Sequence, residues 1–296
     1  MVDSIYTSQI VFFVKYCMKL LKFSFKHFDV IREKAAMKLT TDAVLLGAWC
    51  VNCLIKVNDY ETNYKTEDDI KNKGCLNVNK ALDIGTGTGV LSLILAQYLP
   101  NTNIMAIDID ENAVTDALRN FGNSSWSDRL SVRNVSLEEY SNEYSNRFNN
   151  DSNLYDLIIC NPPYFNFSVK YVDNGRMRAR CNDSLPPQSL FCNVNKLLKD
   201  NSLFFLIIPF EQLEHYLEIA KQYSFAIKKI LNVSSVKGKS PYVSLICFKK
   251  LQFLNTSKIQ DKDLNDYPQD FEYLFLENGT QKSDFWKNLT KELYIK

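Results

Sequence analysis

The heptapeptide Asp83-Ile84-Gly85-Thr86-Gly87-Thr88-Gly89 restricts this chain's fold more than any other feature. It lies between an apolar run over 80–84 and another over 90–99. Glycines at alternate positions let backbone approach a ligand where side chains would obstruct it. A strand before the loop and a helix after it make this the turn of a β-α unit. The spacing is G-x-G-x-G, without the third glycine offset that a pyrophosphate-bearing cofactor wants. Glycine spacing alone does not choose among nicotinamide, flavin and S-adenosylmethionine cofactors.

The second informative motif is Asn161-Pro162-Pro163-Tyr164, which follows an apolar run over 154–160. An aromatic or amide NH2 is a poor nucleophile because its lone pair is delocalised. The side-chain oxygen of Asn161 and the backbone carbonyl of Pro162 can both accept from such an amine, holding it in line for attack. Proline fixes φ and removes a competing donor, so the carbonyl stays aimed. Tyr164 can stack on a flipped base. The two motifs, in this order and each after a strand-like run, point to methyl transfer from S-adenosylmethionine to a planar nitrogen. Within that scheme Asp83 would accept from the cofactor's amino group or from ordered water, and Asp108 from its ribose hydroxyls. The simpler readings stand beside these: Asp83 caps the loop, Asp108 or Asp110 caps a helix, and Asn-Pro is a turn pair.

From about Asn79 onward, strand-like and helix-like runs alternate, which predicts a parallel sheet covered by helices. Strands are expected over 80–84, 104–107, 130–135, 154–160 and 203–208, with a closing pair over 227–233 and 243–248. Helices are expected over 90–99, after Asp110 with Ala113, Val114, Ala117, Leu118 and Phe121 on one face, and after Ile208 with Leu213, Tyr216, Leu217 and Ala220 inward. Segments 58–73 and 142–153 are polar and read as surface insertions. Residues 251–296 alternate between polar and aromatic and are left without assigned elements. They are expected to pack as an extension on the same domain.

Composition narrows the rest. At 296 residues with 46% hydrophobic content, the chain can bury one large core. A net charge of +1 requires that any nucleic-acid contact come from local patches. Two histidines and eight scattered cysteines, with Cys50-Val51-Asn52-Cys53 as the lone CxxC, predict free thiols in a reducing compartment and no metal site. The apolar stretch over 10–21 is interrupted by Lys15 and Lys19, lacks a cleavage site and is too short to span a bilayer. The expectation is a cytoplasmic protein without membrane association, with Met18 as a candidate start.

Three blocks together carry a family resemblance. They are Phe25-Lys26-His27-Phe28 with the stretch Met37-Lys38-Leu39-Thr40-Thr41-Asp42-Ala43-Val44-Leu45-Leu46-Gly47-Ala48-Trp49, then the glycine loop, then the tetrapeptide. Over residues 23–250 the chain resembles the bacterial tRNA1(Val) adenine-37 N6-methyltransferases, within the class I methyltransferases. The resemblance implies a Rossmann-like α/β fold: a mostly parallel, doubly wound sheet with an antiparallel final strand. It implies that 23–57 packs over the cofactor and that S-adenosylmethionine is bound by a monomer acting on a tRNA adenine. The implied cofactor contacts are Thr41, Asp42, Asp83, Gly85, Thr86, Gly87, Gly89, Asp108, Ile109, Ser136 and Asn161, and the catalytic group is Asn161, Pro162, Pro163 and Tyr164. Where the family often has an acid for the cofactor's adenine, this chain has Ser136, with Glu138 and Glu139 just beyond.

Contacts to RNA are expected at Lys26 and Lys38 and, after the tetrapeptide, at Lys170, Arg176, Arg178 and Arg180. A solvated surface face is the plain alternative for each group. Other functions share the motifs. A release-factor-type glutamine N5-methyltransferase also presents a planar amide. A DNA adenine methyltransferase would need a target-recognition segment that is not evident here. A non-catalytic RNA-binding protein on a methyltransferase fold is the reading from a different class.

Overall fold

A computed structural model describes residues 22–36, 39–59, 78–147, 153–163, 185–252 and 267–294. A short antiparallel hairpin, β1 (Lys22–Ser24) and β2 (Asp29–Ile31), opens this part of the chain and is followed by α1 (Thr41–Asp59). The alternating core then runs β3 (Lys80–Ile84), α2 (Val90–Tyr98), β4 (Asn103–Asp108), α3 (Glu111–Gly122), β5 (Leu130–Asn134), α4 (Leu137–Arg147) and β6 (Tyr155–Cys160). It continues with α5 (Pro187–Leu197), β7 (Leu198–Pro209), α6 (Leu213–Gln222), β8 (Phe225–Val236) and β9 (Val243–Lys250), and closes with β10 (Gln269–Phe275) and α7 (Asp284–Thr290).

Eight strands form one sheet in the order β10-β8-β9-β7-β6-β3-β4-β5. β9 runs antiparallel to both β7 and β8, and the other pairings are parallel. The antiparallel strand is therefore not the last of the sheet: β10 follows it and pairs parallel to β8. The side-chain period of two splits the sheet's residues between two cores. Phe205 and Ile207 face a cluster with Leu45, Trp49 and Ile94, whereas Phe204, Leu206 and Ile208 face one with Phe191, Phe225 and Phe248. In α2, every residue from Val90 to Ala96 is buried, as a helix pressed between a sheet and α1 requires.

Two expectations about the periphery need correction. Residues 142–147 are helical rather than part of a surface loop, because α4 starts from a side-chain cap and packs Tyr140 and Tyr144 against Tyr155. Likewise, 58–59 close α1, and the remainder of the proposed 58–73 insertion lies outside the described residues. The C-terminal residues supply an edge strand and a helix. α7 contacts α1, and Tyr294 stacks on Phe25 with ring centroids 5.7 Å apart.

The chain moves outward from β3 through β4 to β5, then returns to place β6 on β3's other side. That reversal opens a crevice at the carboxyl ends of β3, β4 and β6, where Ile84 sits in register with both Ile107 and Cys160. Ligands of open α/β sheets bind at such a switch point.

Candidate active site

A cavity of about 590 Å³ occupies this crevice. Its lining joins the glycine loop (Gly85, Thr86, Gly87), the end of β4 (Asp108, Ile109), the start of α4 (Ser136, Glu138) and the acceptor motif (Asn161, Pro162, Pro163). The two motifs are separated by more than seventy residues yet share one chamber.

The loop leaves open space at two of its glycines. Gly85 and Gly87 have φ of +68° and +56°, and a Cβ at either would meet nothing within 4 Å, so the space beside their backbone is open. Gly89 differs. Its φ is +84°, but a Cβ there would lie 2.5 Å from Phe121, so this glycine lets α2 and α3 pack closely and does not line the cavity. Asp83 lies beneath the loop with no exposure and is likewise absent from the lining. Its Oδ2 accepts from Thr86 Oγ1 at 2.6 Å and from Ser92 Oγ at 2.7 Å, which braces the turn from below. Burial pushes its carboxyl up to about 6, against the lowering effect of the Thr86 and Ser92 hydrogen bonds.

Asp108 faces the cavity. Its Oδ2 accepts the Gly87 amide at 2.8 Å and its Oδ1 the Asp110 amide at 2.9 Å. Burial raises its carboxyl, and the backbone amides oppose that rise. A carboxylate fixed this way keeps lone pairs for two hydroxyl donors. Asp110 caps α3, accepting from the Asn112 amide. Ile109 lines the same wall, half of its surface open.

Just after β5, Ser136 and Glu139 form a reciprocal capping box. The Ser136 hydroxyl donates to Glu139 Oε2 at 2.8 Å and accepts the Glu139 amide at 3.2 Å. The serine hydrogen is thus committed to the helix start, and of the two neighbouring glutamates it is Glu138 that lines the cavity.

Thr40 and Ala43 of the N-terminal block line the chamber, and Thr41 and Asp42 do not. The reason is local: Thr40 Oγ1 accepts the Ala43 amide at 3.2 Å, as an N-cap does. Thr41 is then the first helical residue and turns to solvent, while Asp42 accepts from Tyr242. Among the RNA candidates, Lys26 pairs with Glu292 at 2.6 Å. Lys38, Tyr164, Lys170, Arg176, Arg178 and Arg180 lie outside the described residues. Sequence reasoning did not single out Ala35, Leu185, Pro186 or Ser189, all on the lining. Pro186-Pro187 before an apolar-periodic run is the sequence signal that could have placed the start of α5 there.

The open cradle at Gly85 and Gly87, a fixed carboxylate at Asp108 and an acid at Glu138 suit a cofactor with a nucleoside and an amino-acid end. S-adenosylmethionine fits these residues. Asn161 and the two prolines belong to the same lining, at the end of β6 beside the end of β3 that carries the loop.

Comparison with known proteins gives the chain's family. A family profile described as "Methyltransferase domain" matches residues 77–269. The tRNA1(Val) (adenine(37)-N6)-methyltransferase of Flavobacterium psychrophilum is 35% identical over 228 residues, which is 77% of this chain and 85% of that protein. The protein of the same name from Bacteroides thetaiotaomicron is 33% identical over 274 residues, 92% of this chain and 97% of that one. A crystal structure of a predicted O-methyltransferase from Agrobacterium tumefaciens superposes with a TM-score of 0.54 at 12% identity, covering 86% of this chain and 97% of that chain. That likeness shows the class I methyltransferase fold. With relatives of this identity and coverage, the chain belongs to the tRNA1(Val) (adenine(37)-N6)-methyltransferase family.

Proposed function

We propose that this protein methylates N6 of an adenine in tRNA, adenine 37 of tRNA1(Val), with S-adenosylmethionine as the donor. The observation that carries the reading is the shared chamber: Gly85 and Gly87 leave open space beside their backbone, and Asn161, Pro162 and Pro163 belong to the same lining, at the end of the strand beside the loop's own. S-adenosylmethionine supplies an electrophilic methyl group carried on a sulfonium.

The chain's own residues then have limited tasks. Asp108 accepts from the ribose hydroxyls, and Glu138 accepts from the cofactor's adenine amino group. The Asn161 side-chain oxygen and the Pro162 carbonyl accept the two N–H groups of the target amine and orient its lone pair. No strong base is required, because the nitrogen becomes cationic on methylation and its proton then leaves readily. The apolar wall of Ile84, Leu91 and Ile107 restricts water.

The basic run Arg176, Arg178 and Arg180, with Lys170, follows the acceptor motif closely in sequence and is assigned to the tRNA phosphates. Charge reversal at Arg178 and Arg180 should weaken tRNA retention on filters and leave cofactor binding unchanged. We assign the reaction to the cytoplasm and to a monomer, which size-exclusion chromatography with light scattering would test. No helix among the described residues is long and apolar enough to cross a membrane.

The deciding experiment is methyl transfer from labelled S-adenosylmethionine to total tRNA from cells lacking the gene, followed by nucleoside digestion and mass spectrometry. N6-methyladenosine should appear with wild type and vanish with Asn161→Ala. Its absence despite demonstrated cofactor binding would move the search to release-factor glutamine or DNA adenine.

A further inference from the structure

The segment that leads into the cavity wall is held by α3 through buried polar groups that the proposed chemistry does not use. Asp116 has no exposure, and its Oδ2 accepts three successive backbone amides: Glu33 at 3.0 Å, Lys34 at 2.9 Å and Ala35 at 2.8 Å. One turn farther along α3, Asn120 is equally buried. Its Oδ1 accepts the Ile31 amide at 2.9 Å, while its Nδ2 donates to the carbonyls of Ile31 at 2.9 Å and Thr88 at 2.8 Å. Asn120 therefore ties the N-terminal segment to the glycine loop through a single side chain. Ala35, at the end of this anchored stretch, lines the cavity, as does Ala113 one turn before Asp116.

We infer that Asp116 and Asn120 are positioning residues for cofactor binding, acting through residues 31–35 and Thr88 without touching the ligand. The inference rests on the cofactor reading above and deepens it. The backbone groups of residues 31–35 must find partners away from a strand ladder, and α3 meets that need at the point where the same segment reaches the cavity at Ala35. Three amides converging on one carboxylate oxygen fix the backbone direction at residues 33–35 more tightly than packing would. Both groups also sit on the helix whose N-terminal end, at Asp110 and Ala113, walls the same chamber. One rigid element thus sets the distance between the covering segment and the glycine loop. The ion pair between Arg119 and Glu33, at 2.5 Å, reinforces the same join from the surface.

The test compares Asp116→Asn and Asn120→Asp with two controls. Leu118→Ala alters an exposed position on the same helix, and Leu217→Ala lowers stability from the opposite core. S-adenosylhomocysteine binding to the full chain is measured by calorimetry without tRNA, well below each variant's Tm. Hydrogen–deuterium exchange follows the amides of residues 33–35. Both α3 variants should raise the dissociation constant roughly ten-fold or more, a size expected for losing charge-assisted or buried hydrogen bonds. The controls should stay within about two-fold of wild type, and kcat at saturating cofactor should change far less than KM. The amides of 33–35 should exchange faster in Asp116→Asn, and ligand should slow their exchange in wild type. Faster exchange at 33–35 with unchanged ligand affinity would reduce these residues to a structural join and overturn the inference. Equal loss of affinity in Leu217→Ala would do the same by showing a global effect. Wild type that binds no S-adenosylhomocysteine would instead overturn the cofactor reading, and this inference with it.

Discussion

The Tyr242 hydroxyl donates to Oδ1 of Asp42 at 2.9 Å, joining two residues 200 positions apart in the chain. The bond ties the connection between β8 and β9 to the first turn of α1. Burial and the neighbouring carboxylate push the phenol well above its ordinary value, so the hydroxyl remains a donor. Neither residue is on the cavity lining. Tyr242→Phe should therefore cost about 1 kcal/mol in denaturant unfolding, and KM for the cofactor should hold within about two-fold. A large rise in that KM, in this variant or in Asp42→Asn, would return Asp42 to the cofactor site where the family resemblance placed it.

The three polar residues at the start of α4 separate by role. Glu139 is spent on the capping box with Ser136, and Glu138 is left to face the chamber. Ser136→Ala should lower stability by about 1 kcal/mol, as loss of an N-cap does. Glu138→Gln should leave Tm nearly unchanged and weaken S-adenosylhomocysteine binding roughly ten-fold, the size of one lost charge-assisted hydrogen bond. Glu139→Gln should behave like the serine variant and spare binding. Calorimetry paired with thermal unfolding on the three variants separates the roles. If Glu138→Gln binds normally while Ser136→Ala does not, the serine takes the cofactor.

The core of the fold was legible because its segments are either apolar runs bounded by turn residues or stripes of helical period. Strand 80–84 matches its expected bounds, and the helix after Asp110 starts at the cap the sequence marks. The helix carrying Leu213, Tyr216, Leu217 and Ala220 buries those residues. What escaped lacked a period. The run from Leu45 to Leu54 in α1 is apolar on nearly every side because the helix is covered all round, so no stripe distinguishes it from a strand. β10 reads as a mixture of polar and aromatic residues because an edge strand leaves much of its surface in solvent. In the site, both motifs announced themselves through glycine and proline. The choice between Thr40 and Thr41 depended on which hydroxyl caps the helix, and two adjacent threonines give no basis for it. Asp116 and Asn120 carried no signal, since a buried polar residue on a helix looks like any solvated one until its partners are known.

The brace under the glycine loop should leave a mark on stability against pH. The Asp83 carboxyl is raised from 3.8 to about 6, chiefly by burial. The folded protein therefore holds a proton that the unfolded chain has already released. The sign follows: stability falls as pH rises from about 4 to about 6, and then levels off. The full difference is worth about 3 kcal/mol. Asp83→Asn removes the titration. The stability of wild type relative to this variant should decline across that window in urea unfolding at several pH values. A difference that is flat or rises with pH would show that the carboxyl is ionised throughout, stabilised by Thr86 and Ser92.

The glycines of the loop should divide in the same way as their surroundings. Gly87 has positive φ but open space beside it, so Gly87→Ala costs about 1 kcal/mol of backbone strain. Its methyl would project into the chamber and should weaken cofactor binding by about ten-fold or more. Gly89 has positive φ and the Phe121 ring 2.5 Å from where a Cβ would stand. A methyl there adds overpacking to strain, for a loss of about 2–4 kcal/mol. Cofactor affinity measured on the folded fraction should change little. Denaturant unfolding and calorimetry on both variants would read the two effects separately. If Gly89→Ala proved stable and Gly87→Ala bound normally, the cofactor would have to lie elsewhere along the loop, nearer the start of α2.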